Sequence, residues 1–138
     1  MPRSCFRLLS ITLMSLLCAC SLFESSAVKV TQQQLLARMA AHEEMLILDV
    51  RTAGEYSKGY IGNALNIDHR EIAEHLTEII AFKDKPVVVY CYSGMRAGLV
   101  EAKLIDRGFS KVQHLDGDWS AWQVAGLAVT MPGNPLID

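Results

Sequence analysis

Two hydrophobic periods alternate along most of the chain. After "VKV" (Val28–Val30), a short strand candidate, the stretch "TQQQLLARMAAH" places Leu35, Leu36 and Met39 on one side of a helix. Thr31 and Gln34 have capping-box spacing, which sets the helix start at Thr31. "MLILDV" (Met45–Val50, apolar but for Asp49) and "VVVY" (Val87–Tyr90) are apolar runs of strand length, as in strands buried on both faces. "ALNI" and "KVQHL" are shorter strand candidates. Between these runs, "RTAGEYSKGYIGN" reads as a loop through Gly54, Gly59 and Gly62. "HREIAEHLTEIIAF" reads as an amphipathic helix with Ile72, Leu76, Ile79 and Ile80 on one side. "RAGLVEAKLIDRGF" predicts a helix with Gly108 just past its end, and "DWSAWQVAGL" a last helix closed by Gly126. Strands alternating with helices predict an α/β domain whose mostly parallel central sheet has helices on both faces.

Composition agrees with one globular domain: 138 residues, 51% apolar and 20% charged. The first twenty residues stand apart. "MPRSCFRLLSITLMSLLCAC" carries Arg3 and Arg7, and no acid precedes Glu24. Its apolar stretch, Leu8 to Leu17, is short for a membrane span and has the proportions of a secretory signal. "LCAC" (Leu17 to Cys20) resembles the bacterial lipobox. That resemblance implies a lipoprotein signal peptide at 1–19, lipidation of Cys20, a small polar tether at 20–27 and the folded domain at 28–138. Ser21, where an aspartate would signal inner-membrane retention in enteric bacteria, resembles the outer-membrane pattern. The expectation is a periplasmic domain held to a membrane by its N-terminal lipid.

Processing would change two quantities. Losing Arg3 and Arg7 leaves 11 cations against 15 acids, so the net charge moves from −2 to −4. That mild acidity gives no sign of nucleic-acid binding, which usually needs a basic face. Cys5 and Cys18 would leave with the signal and Cys20 would be blocked, so Cys91 becomes the one free thiol. Such a thiol is either reactive or intermolecular.

Cys91 directly follows the Val87–Tyr90 strand, where ligands of open α/β sheets sit. In "CYSGMR" the chain must turn from strand into helix near Arg96. The backbone amides of Tyr92, Ser93, Gly94, Met95 and Arg96, with the helix N-terminus behind them, can form an anion nest that holds a cysteine sulfur as thiolate. Gly94 supplies backbone freedom and Arg96 a fixed positive charge. The side chains of Tyr92, Ser93 and Met95 are expected to shape the entrance. No histidine lies within the loop, and none is needed as a base.

"VVVYCYSGMRA" resembles the active-site loop of single-domain rhodaneses, the thiosulfate sulfurtransferase-like domains. "LDVRTAGEYSKGYIGNALNI", "LIDRGFSKVQHLDGDWSAW" and "AGLAV" match that family's other motifs in order, so the resemblance spans Val28 to Val129. Two positions depart: Tyr60 stands where the family often has histidine, and Asp118 where it has a second glycine. The fold is expected to survive both. The resemblance implies a rhodanese-like three-layer fold. It also implies a persulfide on Cys91, loaded from a donor such as thiosulfate and unloaded to cyanide or a thiol, with no cofactor. Donor and acceptor would be small molecules or proteins. From another class, a persulfide carrier or redox-sensing module without turnover fits the same residues. Cysteine phosphatases and arsenate reductases fit less well, because four residues separate Cys91 from Arg96 where phosphatases have five.

The remaining polar residues are assigned support roles. Asp49 and Arg51 end a strand near the loop. Arg51 is expected to pair with Glu55 as a structural brace, and Asp49 to hydrogen-bond in the same region. Trp119 and Trp122 are expected to start and pack the last helix. His42, His69, His75 and His114 lack metal-ligand spacing, so no metal site is expected.

Overall fold

A computed structural model of the chain describes residues 27–133. The signal peptide expected at 1–19, Cys20 and the tether up to residue 26 lie outside the described residues, as do residues 134–138. Five strands form one sheet: β1 (Val28–Val30), β2 (Leu46–Asp49), β3 (Leu65–Asn66), β4 (Val87–Tyr90) and β5 (Val112–Leu115). Their spatial order is β1-β5-β4-β2-β3, and every pairing is parallel. β2 and β4 lie next to each other in the middle, in register from Leu46 opposite Val87 to Asp49 opposite Tyr90. Both are buried along their whole length, which is why neither shows a polar alternation in sequence.

Alternation along β4 separates two cores. Val87, Val89 and then Cys91 face a cluster that includes Ala97, Val100 and Leu104 of helix α4 (Met95–Asp106). Val88 and Tyr90 face the opposite cluster, with Leu35 of α1 (Gln32–Ala40) and Trp119 and Trp122 of α5 (Asp118–Val124). The result is the expected three-layer arrangement. α1 begins where its capping box placed it: the Thr31 hydroxyl accepts from the Gln34 amide, and the Gln34 side chain accepts from the Thr31 amide. Gly108 and Gly126 lie just past the ends of α4 and α5, as the sequence indicated.

Two segments differ from expectation. The helix expected over residues 69–82 is reduced to α3 (Leu76–Ile79) and a 3-10 turn at Ile80–Phe82, preceded by turns. Asp68 supplies a physical reason. Its carboxylate accepts from the Arg70 amide at 3.0 Å and from the Arg70 guanidinium at 3.0 and 2.7 Å, a local closure that competes with the helical ladder. Ile72 and Ile79 still reach the core. The glycine-bearing loop after β2 contains one turn of helix, α2 (Ala53–Tyr56). Thr52 caps it, and Glu55 returns a bond to the Thr52 amide at 3.0 Å. Four residues are too few for periodicity to reveal, although Thr-x-x-Glu was there to be read.

Candidate active site

The centre of the site is the turn between β4 and α4. Cys91 continues the parity of Val87 and Val89 and is 1% exposed at the floor of the loop. The Gly94 amide donates to its Sγ at 3.0 Å. This closes the turn with φ +104 at Gly94, a conformation that favours glycine. α4 starts one residue later. The first-turn amides of Met95, Arg96 and Ala97 have no carbonyl one turn back within that helix. They and the helix dipole favour negative charge at the sulfur end of α4. Tyr92, Ser93 and Met95 are exposed around the loop.

Arg96 reaches across to α2. Its Nη1 and Nη2 donate to Glu55 Oε2 and Oε1 at 2.7 and 2.9 Å. The expected Arg51–Glu55 brace is therefore corrected: Glu55 belongs to Arg96, and Arg51 to Asp49. The reason is local geometry, since the capping box of α2 turns the Glu55 carboxylate toward the loop. Hydrogen bonding to the Arg96 guanidinium holds the Glu55 carboxyl down at about 2, against the opposing effect of burial. Arg96 is in turn held protonated above its ordinary range, first by hydrogen bonding to Glu55 and, more weakly, by the Cys91 sulfur.

Asp49 and Arg51 lie behind the loop. Arg51 Nε donates to both Asp49 oxygens at 3.0 Å, and Nη2 donates to Asp49 Oδ2 and to the Gly59 carbonyl. Its guanidinium carbon lies 4.1 Å from the centre of a Trp119 ring. Tyr90 donates its hydroxyl to Asp49 at 2.7 Å and accepts from the Ile61 amide. Arg51 is 2% exposed and Asp49 fully buried, so together they tie β2, the segment after α2 and α5 into one support. Tyr60, where the family often has histidine, stacks on Tyr56 with ring centres 4.1 Å apart.

One part of the site escaped the sequence reading. The N-terminal end of α5 clamps the loop from below. The Trp119 and Ser120 amides donate to the Cys91 and Tyr92 carbonyls at 3.0 Å, while Asp118 Oδ1 accepts from the Cys91 amide at 2.8 Å. Asp118 Oδ2 meets His114 Nε2 at 2.9 Å, and His114 Nδ1 meets Glu101 Oε1. Asp118 and then Glu101 push the His114 imidazole up to about 10, against the effect of burial. With a carboxylate at each ring nitrogen, both nitrogens carry protons. Two sequence signals pointed here: an aspartate in a glycine position, and a glutamate beside Val100 on the buried stripe of α4. Among the described residues no group of His, Cys, Asp and Glu side chains is arranged to hold a metal ion.

A parallel α/β sheet with one cysteine set at the mouth of a central strand, its sulfur bonded to a loop amide at a helix N-terminus, is an arrangement that can serve covalent group transfer. The model of the Rhodanese-like domain family matches residues 31–125, and the chain belongs to that family. A sulfurtransferase of Allochromatium vinosum is 35% identical over 104 residues, covering 75% of this chain and 95% of that protein. The thiosulfate sulfurtransferase GlpE of Shewanella oneidensis is 32% identical over 90 residues, covering 65% of this chain and 87% of that one. Among solved structures, a thiosulfate sulfurtransferase from Pseudomonas aeruginosa superposes with a TM-score of 0.70 at 26% identity. The match covers 75% of this chain and 20% of that one. The likeness supports a rhodanese-type sulfurtransferase.

Proposed function

We propose that the chain transfers a sulfane sulfur through a persulfide on Cys91. The Cys91 thiolate attacks the outer sulfur of a donor such as thiosulfate. A Cys91 S–S bond forms, the donor's S–S bond breaks and its electron pair leaves with sulfite. A nucleophile, cyanide or a thiolate, then attacks the outer persulfide sulfur and leaves as thiocyanate or a new persulfide. Cys91 thiolate is regenerated. No proton has to move at the sulfur, so no base is required. The observation that carries this reading is the Gly94 amide on Sγ within a six-residue Cys-to-Arg turn. Amides so placed stabilise an anionic sulfur before and after loading, as oxyanion donors stabilise an anionic oxygen.

A second reading is a persulfide carrier that unloads only to a dedicated partner. Glu55 favours it, because that carboxylate offsets the loop's one cation and weakens the pull on a dianionic donor. Both readings place the work outside the cytoplasm, with Cys20 as lipid anchor, on the strength of the N-terminal sequence pattern. The deciding experiment is thiosulfate:cyanide turnover by the wild-type chain and Cys91→Ser, with p-nitrophenyl phosphate as control. Thiocyanate from wild type alone supports the enzyme. Stable sulfur loading without thiocyanate favours the carrier, and phosphate release without sulfur loading overturns both.

A further inference from the structure

We propose that Asp118, braced by His114 and Glu101, is a positioning residue for Cys91: it fixes the Cys91 amide and so sets where the sulfur lies against the loop donors. The inference rests on the sulfurtransferase reading for its catalytic consequence, though not for its geometry. Asp118 is the first residue of α5, with φ +53 and 3% exposure. Glycine adopts that backbone freely, and aspartate tolerates it better than most side chains but less readily than glycine. Burying a carboxylate adds a second cost unless it is fully paired. Glu101, also buried, is paired with His114. These costs persist only where the surroundings fix the group in place.

What the carboxylate touches is the loop. Oδ1 takes the Cys91 amide, and Oδ2 lies beneath Gly94, 3.0 Å from where a Cβ on that glycine would be. The His114 ring lies 3.5 Å from the same point. The network thus bonds one end of the turn, at the Cys91 amide, and fills the space beside the other, Gly94, whose amide closes the turn onto Sγ. It also occupies the Cys91 amide, while the amide bonded to the sulfur is that of Gly94. The charged groups facing this turn are Arg96 of α4 with Glu55 of α2 on one side. Asp118 of α5, His114 of β5 and Glu101 of α4 lie below. Asp49 and Arg51 lie behind Tyr90.

Asp118→Gly and Asp118→Asn in the full chain test this. Thermal unfolding is read beside two rates: Cys91 alkylation by iodoacetamide near neutral pH, and sulfur loading from thiosulfate. Asp118→Gly is expected to fold, because glycine relieves the positive φ. It should slow alkylation about fivefold and kcat about tenfold with KM for thiosulfate nearly unchanged, since Asp118 acts through Cys91. Asp118→Asn keeps an oxygen for the Cys91 amide and should recover both rates to within about threefold. Wild-type or faster rates in Asp118→Gly, or an Asp118→Asn as slow as the glycine variant, overturn the proposal. If Asp118→Gly does not fold, His114→Gln removes the brace instead: slower alkylation supports the proposal, and a wild-type rate overturns it. A wild-type chain that never accepts sulfur sinks the sulfurtransferase reading, while the alkylation rates still decide the role of Asp118.

Discussion

Glu55 grips both terminal nitrogens of Arg96, at 2.7 and 2.9 Å, from 41 positions away in the chain. A fork-to-fork pair of this kind needs a planar donor, which lysine is not. Arg96→Lys is expected to lower kcat/KM for thiosulfate about tenfold by letting the rim of the loop move. Glu55→Gln should instead lower KM several-fold, because it removes the carboxylate that offsets the loop cation. Steady-state kinetics of the two variants separate these effects. The pair also carries an acid dependence. The Glu55 carboxyl titrates lower folded than unfolded, about 2 against 4.5. Its contribution is therefore present above pH 4.5 and lost as pH falls toward 2. Denaturation at pH 5 and pH 3 should show a smaller loss for Glu55→Gln than for wild type.

His114 gives the opposite sign. Its imidazole titrates higher folded than unfolded, about 10 against 6.5. The stabilisation is complete below pH 6.5 and is lost as pH rises toward 10. Wild type should lose on the order of a few kcal/mol over that window, and His114→Gln much less. Urea denaturation at pH 6 and pH 9.5 measures the difference, and equal losses in both proteins contradict it.

The sheet, its order of elements and the Cys91 turn were legible in the sequence because each rests on local signals: apolar runs, caps, glycines and a strand end. The loop's partners were not. Arg96 could have met any of several acids, and nothing in "GEYSKG" says that a capping box turns Glu55 toward residue 96. The Asp68–Arg70 closure was equally hidden, since an apolar period over 69–82 fits turns whose Ile72 and Ile79 happen to face the core. Asp118 stands out in the sequence as an aspartate in a glycine position, but its meaning depends on β5 bringing His114 against Glu101 of α4, which is tertiary information.

Arg51 is a support whose removal should be costly. Arg51→Ala leaves the Asp49 carboxylate buried without its cation and opens space against Trp119. Breaking a buried pair in this way costs about 3–5 kcal/mol. Chemical denaturation should show that loss. The folded fraction should still transfer sulfur within about threefold of wild type, because Arg51 lies behind the loop.

The proposed membrane anchor is a lipid on Cys20. Expressed in a bacterial host and labelled with a fatty-acid probe, the wild-type chain should carry label and fractionate with membranes. Cys20→Ala should do neither. An unlabelled wild type removes the anchor from the account.

Whether Cys91 carries sulfur is most directly read from intact mass. The full chain should gain about 32 Da on exposure to thiosulfate, the mass of one sulfur in a covalent intermediate. It should lose that mass on addition of cyanide, and Cys91→Ser should gain nothing. A wild-type protein that keeps its mass with thiosulfate and with persulfide donors, or a Cys91→Ser variant that loads sulfur as well as wild type, contradicts the account.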